Sequence, residues 1–144
     1  MNVCGLDFPD DLHYLVEHQV WARLDSDGNA TVGITSLGIR VAGEIYMCRP
    51  KPVGTEVEQG RSIAVVELAK SIVSVKSPVR GTLVDVNPRL QAEPGLVFAD
   101  PYGEGWLAKV RLLDFAADAG QLLHGEAVAP AMEHYAWQNR LDEP

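Results

Sequence analysis

The chain has 144 residues, of which 47% are apolar and 22% charged, and its net charge is −8. That length supports one domain with a real core but not two, and the composition excludes a disordered chain. The acid excess argues against nucleic acid, which needs a basic face, and against anionic membrane, while suiting contact with basic partner surfaces.

No apolar run reaches the length of a membrane span. The segment Met1-Asn2-Val3-Cys4-Gly5-Leu6-Asp7 has no basic stretch leading into an apolar one, so no secretory signal is expected and the expected compartment is the cytoplasm. Cys4 and Cys48 lie too far apart in sequence to read as a disulfide framework, and Cys4-Gly5 reads as a mobile terminus. Val20-Trp21-Ala22-Arg23-Leu24 and Ala30-Thr31-Val32-Gly33-Ile34 flank a turn with Asp27-Gly28 at its tip, a hairpin signal. Thr35 is placed to cap a helix over Ser36 to Ala42, closed by Gly43. Strands follow at Ile63–Val66 and Val73–Val75, joined by Glu67-Leu68-Ala69-Lys70-Ser71-Ile72, a turn without Gly, Asn or Pro. Asn87 is placed to cap a second helix over Pro88 to Ala92, with Pro94-Gly95 as its stop. A last helix is expected from Pro130, with Met132, Tyr135, Ala136 and Asn139 on one face and Trp137 and Leu141 beside it. Gly and Pro recur about every ten residues between Val- and Ile-rich runs, the spacing of a sandwich or barrel of short strands. Residues 42–68 and 80–112 echo one another weakly, each opening on Gly-x-Ile/Leu and ending in a strand, with Lys70 at the join.

The run "VELAKSIVSVKSPVRGTLVDVNPRL", followed by "EPGLVFADPYGEGWLAKV", resembles the lipoyl-carrying H-protein family of the glycine cleavage system. Glu67, Lys70, Pro78, Gly81, Val86, Asn87, Leu96, Val97, Pro101, Tyr102, Gly105 and Trp106 fall at matching positions, as do "TVGIT" at 31–35 and "VGTEVEQG" at 53–60. The resemblance covers residues 9–113 and implies a mostly β, barrel-sandwich hybrid of the lipoyl/biotinyl type, with short helices and a C-terminal helix. The whole chain is then one lipoyl-carrier domain, with residues 114–144 as a helical extension. The resemblance also implies that lipoate is amide-linked to Lys70, with Glu67 as the handle read by a lipoate–protein ligase. Such a carrier has no active site of its own. Tethering serves its partners by raising the local concentration of the dithiolane.

The departures from the family pattern cluster where the cargo would sit. His18-Gln19-Val20-Trp21 stands where the family has His-Glu-Trp, and Cys48-Arg49 replaces a carboxylate position. An amine on the arm is stabilised by a nearby carboxylate; a thiol beside a guanidinium suits a sulfur-bearing or anionic cargo. In these features the chain resembles the H-protein-like lipoate-binding proteins of a heterodisulfide-reductase-like sulfur oxidation system. Its implied partners are that reductase-like complex and a dihydrolipoyl dehydrogenase. An aminomethyl carrier of glycine cleavage is the alternative, and an unlipoylated interaction module a further one. On the functional reading of Cys48, Arg49 lowers the thiol pKa and allows a transient mixed disulfide with the arm; on the structural reading Cys48 is a small apolar filler. Under either, Cys48→Ser is expected to leave folding intact.

Other constellations carry little. His13, His18, His124 and His134 show no metal-ligand spacing. Gly103-Glu104-Gly105 is a turn without a following phosphate-binding helix. Biotin carriers flank their lysine with methionines, which Ala69 and Ser71 are not. Trp21, Trp106 and Trp137 read as core or edge packing, and Lys76 and Lys109 as surface lysines.

Overall fold

The computed structural model describes residues 1–139. Strands β1 (Asn2–Val3) and β2 (Leu6–Asp7) form a small hairpin, followed by β3 (His13–Leu15), β4 (Val20–Leu24), β5 (Asn29–Ile34) and helix α1 (Ser36–Ala42). Then come β6 (Met47–Pro50), β7 (Glu56–Val57), β8 (Ser62–Glu67), β9 (Ile72–Lys76) and β10 (Gly81–Val86). Helix α2 (Leu96–Ala99), β11 (Ala108–Leu112), α3 (Phe115–Asp118) and α4 (Val128–Gln138) follow within the described residues. One antiparallel sheet has six strands in the order β3-β4-β5-β11-β10-β7, and a second has three in the order β6-β8-β9. Their inner faces meet in one apolar core that includes Val32, Ile63, Val66, Leu83, Leu107 and Val110. The architecture is the expected mostly β sandwich with short helices and a C-terminal helix.

A second cluster closes the other side of the six-stranded sheet. Trp21, Tyr14, Phe8, Leu37, Val128, Met132 and Ala136 pack together there. Gly33 makes room for this arrangement. A Cβ at Gly33 would lie 2.5 Å from the Trp21 ring, so only glycine lets the indole lie flat on β5. The Trp21 Nε1–H then donates to the Ile34 carbonyl at 3.1 Å.

Several expectations need correcting. Cys4 and Gly5 are the two left-handed residues, φ 53° and 78°, of a tight turn that pairs Val3 with Leu6, so this terminus is a formed hairpin. The second helix is only a 3₁₀ turn over Pro88–Leu90, and Pro94-Gly95 leads into α2 rather than away from it. The last helix begins at Val128. Pro130 falls within its first turn, where the missing N–H has no intrahelical acceptor to lose. Trp137 is 63% exposed rather than packed, and Leu141 lies outside the described residues. Among the described residues no helix is long and apolar enough to cross a membrane.

Candidate functional site

The candidate site is the β8–β9 hairpin and the surface around it. Glu67 pairs with Ile72, and the Leu68 N–H donates to the Ser71 carbonyl at 2.8 Å, which leaves Ala69 and Lys70 as the two apex residues. Neither has a positive φ, so the apex avoids the primed geometry usual in two-residue hairpins. β-Branched Val65, Val66, Ile72, Val73 and Val75 stiffen both legs. Leu68 packs partly against the core and fastens the turn from below. Lys70 is exposed, and its Nζ makes no hydrogen bond or ion pair among the described residues.

The neighbouring strand sorts Cys48 and Arg49 onto opposite faces. Cys48 pairs with Val66, faces the core and is 4% exposed; Arg49 pairs with Val65 and is exposed. Burial pushes the Cys48 thiol pKa up to about 12. The expected lowering by Arg49 is therefore corrected: consecutive strand residues point apart, and desolvation governs the thiol.

A groove of about 250 Å³ runs beside the hairpin, between Val66, Leu68, Val73 and Val75 on one side and His18, Gly38, Val41 and Tyr135 on the other. α1 approaches closely because Gly38 carries no Cβ; one there would meet the Gln19 Cβ at 3.0 Å. None of the lining residues is an acid. Gln19, which sequence reasoning placed near the cargo, does line this groove, but its side-chain polar atoms are taken up by the fold. Its Nε2 donates to the Val16 carbonyl at 2.9 Å, its Oε1 accepts from Thr35 Oγ1 at 2.6 Å, and its residue is 2% exposed. The segment His18-Gln19 that sequence reasoning placed at the cargo contributes to the groove, while Val41 and Tyr135 were missed. Tyr135 comes from α4, so only its place on that helix's inner face hinted at a role. Burial raises the pKa of its phenol above the ordinary value. A larger groove of about 840 Å³ lies across α1, between Leu6, Ile39, Ile45 and Phe98, and contains no hairpin residue.

Comparison with known proteins matches this geometry to a family. The sequence profile described as glycine cleavage H-protein matches residues 12–135. The chain belongs to the glycine cleavage H-protein family. Among its relatives in that family, glycine cleavage system H protein 3 of Aquifex aeolicus is 37% identical over 91% of this chain and 83% of its own length. The H protein of Marinobacter nauticus is 40% identical over 90% of this chain and 96% of its own. A crystal structure of the H protein from Mycobacterium marinum superposes with a TM-score of 0.74 at 30% identity, covering 92% of this chain and 99% of that one. The relatives carry glycine cleavage names, so the heterodisulfide-reductase link drawn from Cys48 and Arg49 is not what the comparisons support.

Proposed function

We propose that this chain is a lipoyl carrier, with lipoate amide-linked to Lys70 and its arm carrying the aminomethyl intermediate of glycine cleavage. The carrying observation is the exposed, unpaired amine of Lys70 at the apex of a stiff hairpin, within a chain of the H-protein family. The site fits the group: the amine is free for acylation, and an apolar groove runs alongside for the arm. The bound dithiolane supplies reversible thiol–disulfide chemistry. The protein's part is presentation: β8 and β9 hold the amine clear, and Leu68 anchors the turn. Glu67, exposed three residues before the lysine, is the proposed ligase handle. A lipoate–protein ligase and a dihydrolipoyl dehydrogenase are the partners this reading requires.

One observation favours a second reading, a sulfur-bearing cargo exchanged with a heterodisulfide-reductase-like complex. The groove beside the hairpin has no carboxylate to hold an ammonium, and offers His18 and Tyr135 instead. Two measurements separate the readings. Intact mass after incubation with ligase, lipoic acid and ATP shows one lipoyl group on the wild type and none on Lys70→Arg; no gain on the wild type favours an unlipoylated module. The lipoylated chain is then added to a glycine cleavage assay with its other components. Turnover at the level of an authentic H protein supports the aminomethyl reading and sinks the sulfur one; none reverses that order.

A further inference from the structure

The net charge of −8 conceals a polarised molecule. The strands and apex of the three-stranded sheet, residues 47–50 and 62–76, hold Arg49, Lys70 and Lys76 and a single acid, Glu67; Lys51 directly follows β6, Arg61 directly precedes β8, and Glu44, Glu56 and Glu58 lie in the flanking segments. Three of the chain's 12 cations thus lie on this sheet and its apex, with two more directly adjoining, beside one of its 20 acids. Register puts Arg49, Val65 and Ser74 in one row across the sheet, and Met47, Glu67 and Ile72 in the next. Cys48, Val66 and Val75, which alternate with them, are buried, so both rows face outward. Lys76 Nζ lies 3.3 Å from Ser74 Oγ and shares that face. None of these cations is ion-paired among the described residues, whereas Arg23, Arg80 and Arg89 each have a carboxylate partner. Near the apex the rows are apolar: Ile72 is 67% exposed, and Met47 and Val65 are half-buried. An apolar centre inside a rim of unpaired charge is the anatomy of a docking surface.

Resting on the lipoyl reading of Lys70, we propose that this outer sheet face is the docking surface for the lipoate–protein ligase, and that the ligase meets it with a carboxylate-lined rim. The ligase is the partner that must touch this face. Enzymes that use the finished arm work at the far end of a long tether, but the ligase acts on the lysine amine before any arm exists. In that step the Nζ amine forms the amide with an activated lipoyl carboxyl held by the ligase, whose activating group leaves while the amine loses a proton. The enzyme's body therefore lies directly over the apex and its flanking rows. Charge complementarity sets its polarity, and Glu67, the lone acid, marks where it presents a cation. This reverses the expectation from net charge, which pointed to basic partner surfaces. Nucleic acid, the other polyanion such a face could meet, is disfavoured by the repulsion of the remaining molecule.

The test is lipoylation kinetics, read by intact mass, with a lipoate–protein ligase, lipoic acid and ATP. The triple variant Arg49→Glu/Lys51→Glu/Lys76→Glu, checked for folding by circular dichroism, is expected to raise KM about tenfold with kcat nearly unchanged. Raising salt from about 50 mM to about 300 mM should raise the wild-type KM and leave the triple variant's flat. The single variant Arg49→Glu, at an exposed site, should show a smaller rise than the triple, and Arg111→Glu on β11 none. A KM within about twofold of wild type for the triple variant, or an equal rise for Arg111→Glu, overturns the proposal. So does tight binding of a fluorescent single-stranded oligonucleotide that the triple variant abolishes, which would reassign the face. Failure of the wild type to gain a lipoyl group overturns the lipoyl reading and this one together, whereas normal lipoylation with unchanged KM overturns this one alone.

Discussion

A thiol acts as a nucleophile only as its thiolate, and Cys48 is held away from that state by its place on the inner face of β6. Its pKa near 12 means that thiol-directed alkylation at pH 8 should modify Cys4, which is exposed, and leave Cys48 untouched until the protein unfolds. Peptide mapping after iodoacetamide, with and without denaturant, checks this; rapid native labelling of Cys48 would contradict it. The burial also changes the expectation for Cys48→Ser. A hydroxyl there would enter an apolar cluster, with a cost of about 1–3 kcal/mol if it finds no partner. The substitution is therefore expected to lower the urea midpoint rather than pass unnoticed. Gly33 makes the complementary case. Gly33→Ala drives a methyl into the Trp21 ring and is expected to cost about 1–3 kcal/mol, read as a fall in urea midpoint with quenched or shifted tryptophan fluorescence.

At the scale of elements, legibility followed how local the cause was. The β4–β5 hairpin was readable because Asp27-Gly28 supplies its turn, and α1 because Thr35 caps it through the Gly38 N–H, donating at 3.0 Å, while Gly43 ends it. α2 was not readable, because Pro and Gly serve equally as a helix stop and as a lead-in. The Phe98 and Ala99 N–H groups both donate to the Gly95 carbonyl, so the turn winds directly into the helix. The internal echo corresponds to the β6–β8 and β10–β11 pairs, but these belong to different sheets, and the second unit alone carries α2. Of the candidate site, Lys70 and Glu67 were readable because one hairpin holds both. The groove was readable only in its His18-Gln19 segment; Tyr135 was not, because packing of α4 across the 3₁₀ turn at Val16–His18 alone brings it there. The apex itself makes a prediction. Ala69→Gly adds backbone freedom beside Lys70, so it should slow lipoylation several-fold through imprecise presentation while changing stability by less than about 1 kcal/mol. A mass-resolved lipoylation time course beside a urea titration separates the two effects; equal lipoylation rates would show that apex stiffness is irrelevant.

At the scale of the whole molecule, the C-terminal segment is bound into the fold at several points. Asp118, 2% exposed, accepts from the Arg80 backbone N–H at 2.9 Å and from its Nε–H at 2.8 Å. The Leu123 and Tyr14 backbones exchange hydrogen bonds at 2.8 Å, and Met132 and Ala136 are fully buried against the Trp21 cluster. At the centre of this attachment His13, on β3, stacks on Phe115 of α3 with centroids 5.0 Å apart and meets the edge of His124 at 4.2 Å. The His124 Nδ1 is taken by the Leu12 carbonyl at 2.8 Å, but among the described residues neither ring nitrogen of His13 has a partner. Burial, and then the neighbouring His124, hold the His13 pKa below its ordinary 6.5. The unfolded chain therefore binds a proton that the folded chain resists, in the window from about 6.5 down to the lowered folded value. Stability contributed by neutral His13 is full above that window and is lost as pH falls through it. The urea midpoint should therefore fall between about pH 7.5 and about pH 5 as His13 takes up its proton. His13→Phe keeps the stack on Phe115 without a titratable nitrogen and should flatten that fall. An unchanged slope in His13→Phe would place the acid sensitivity elsewhere and leave the attachment of α3 and α4 independent of the histidine pair.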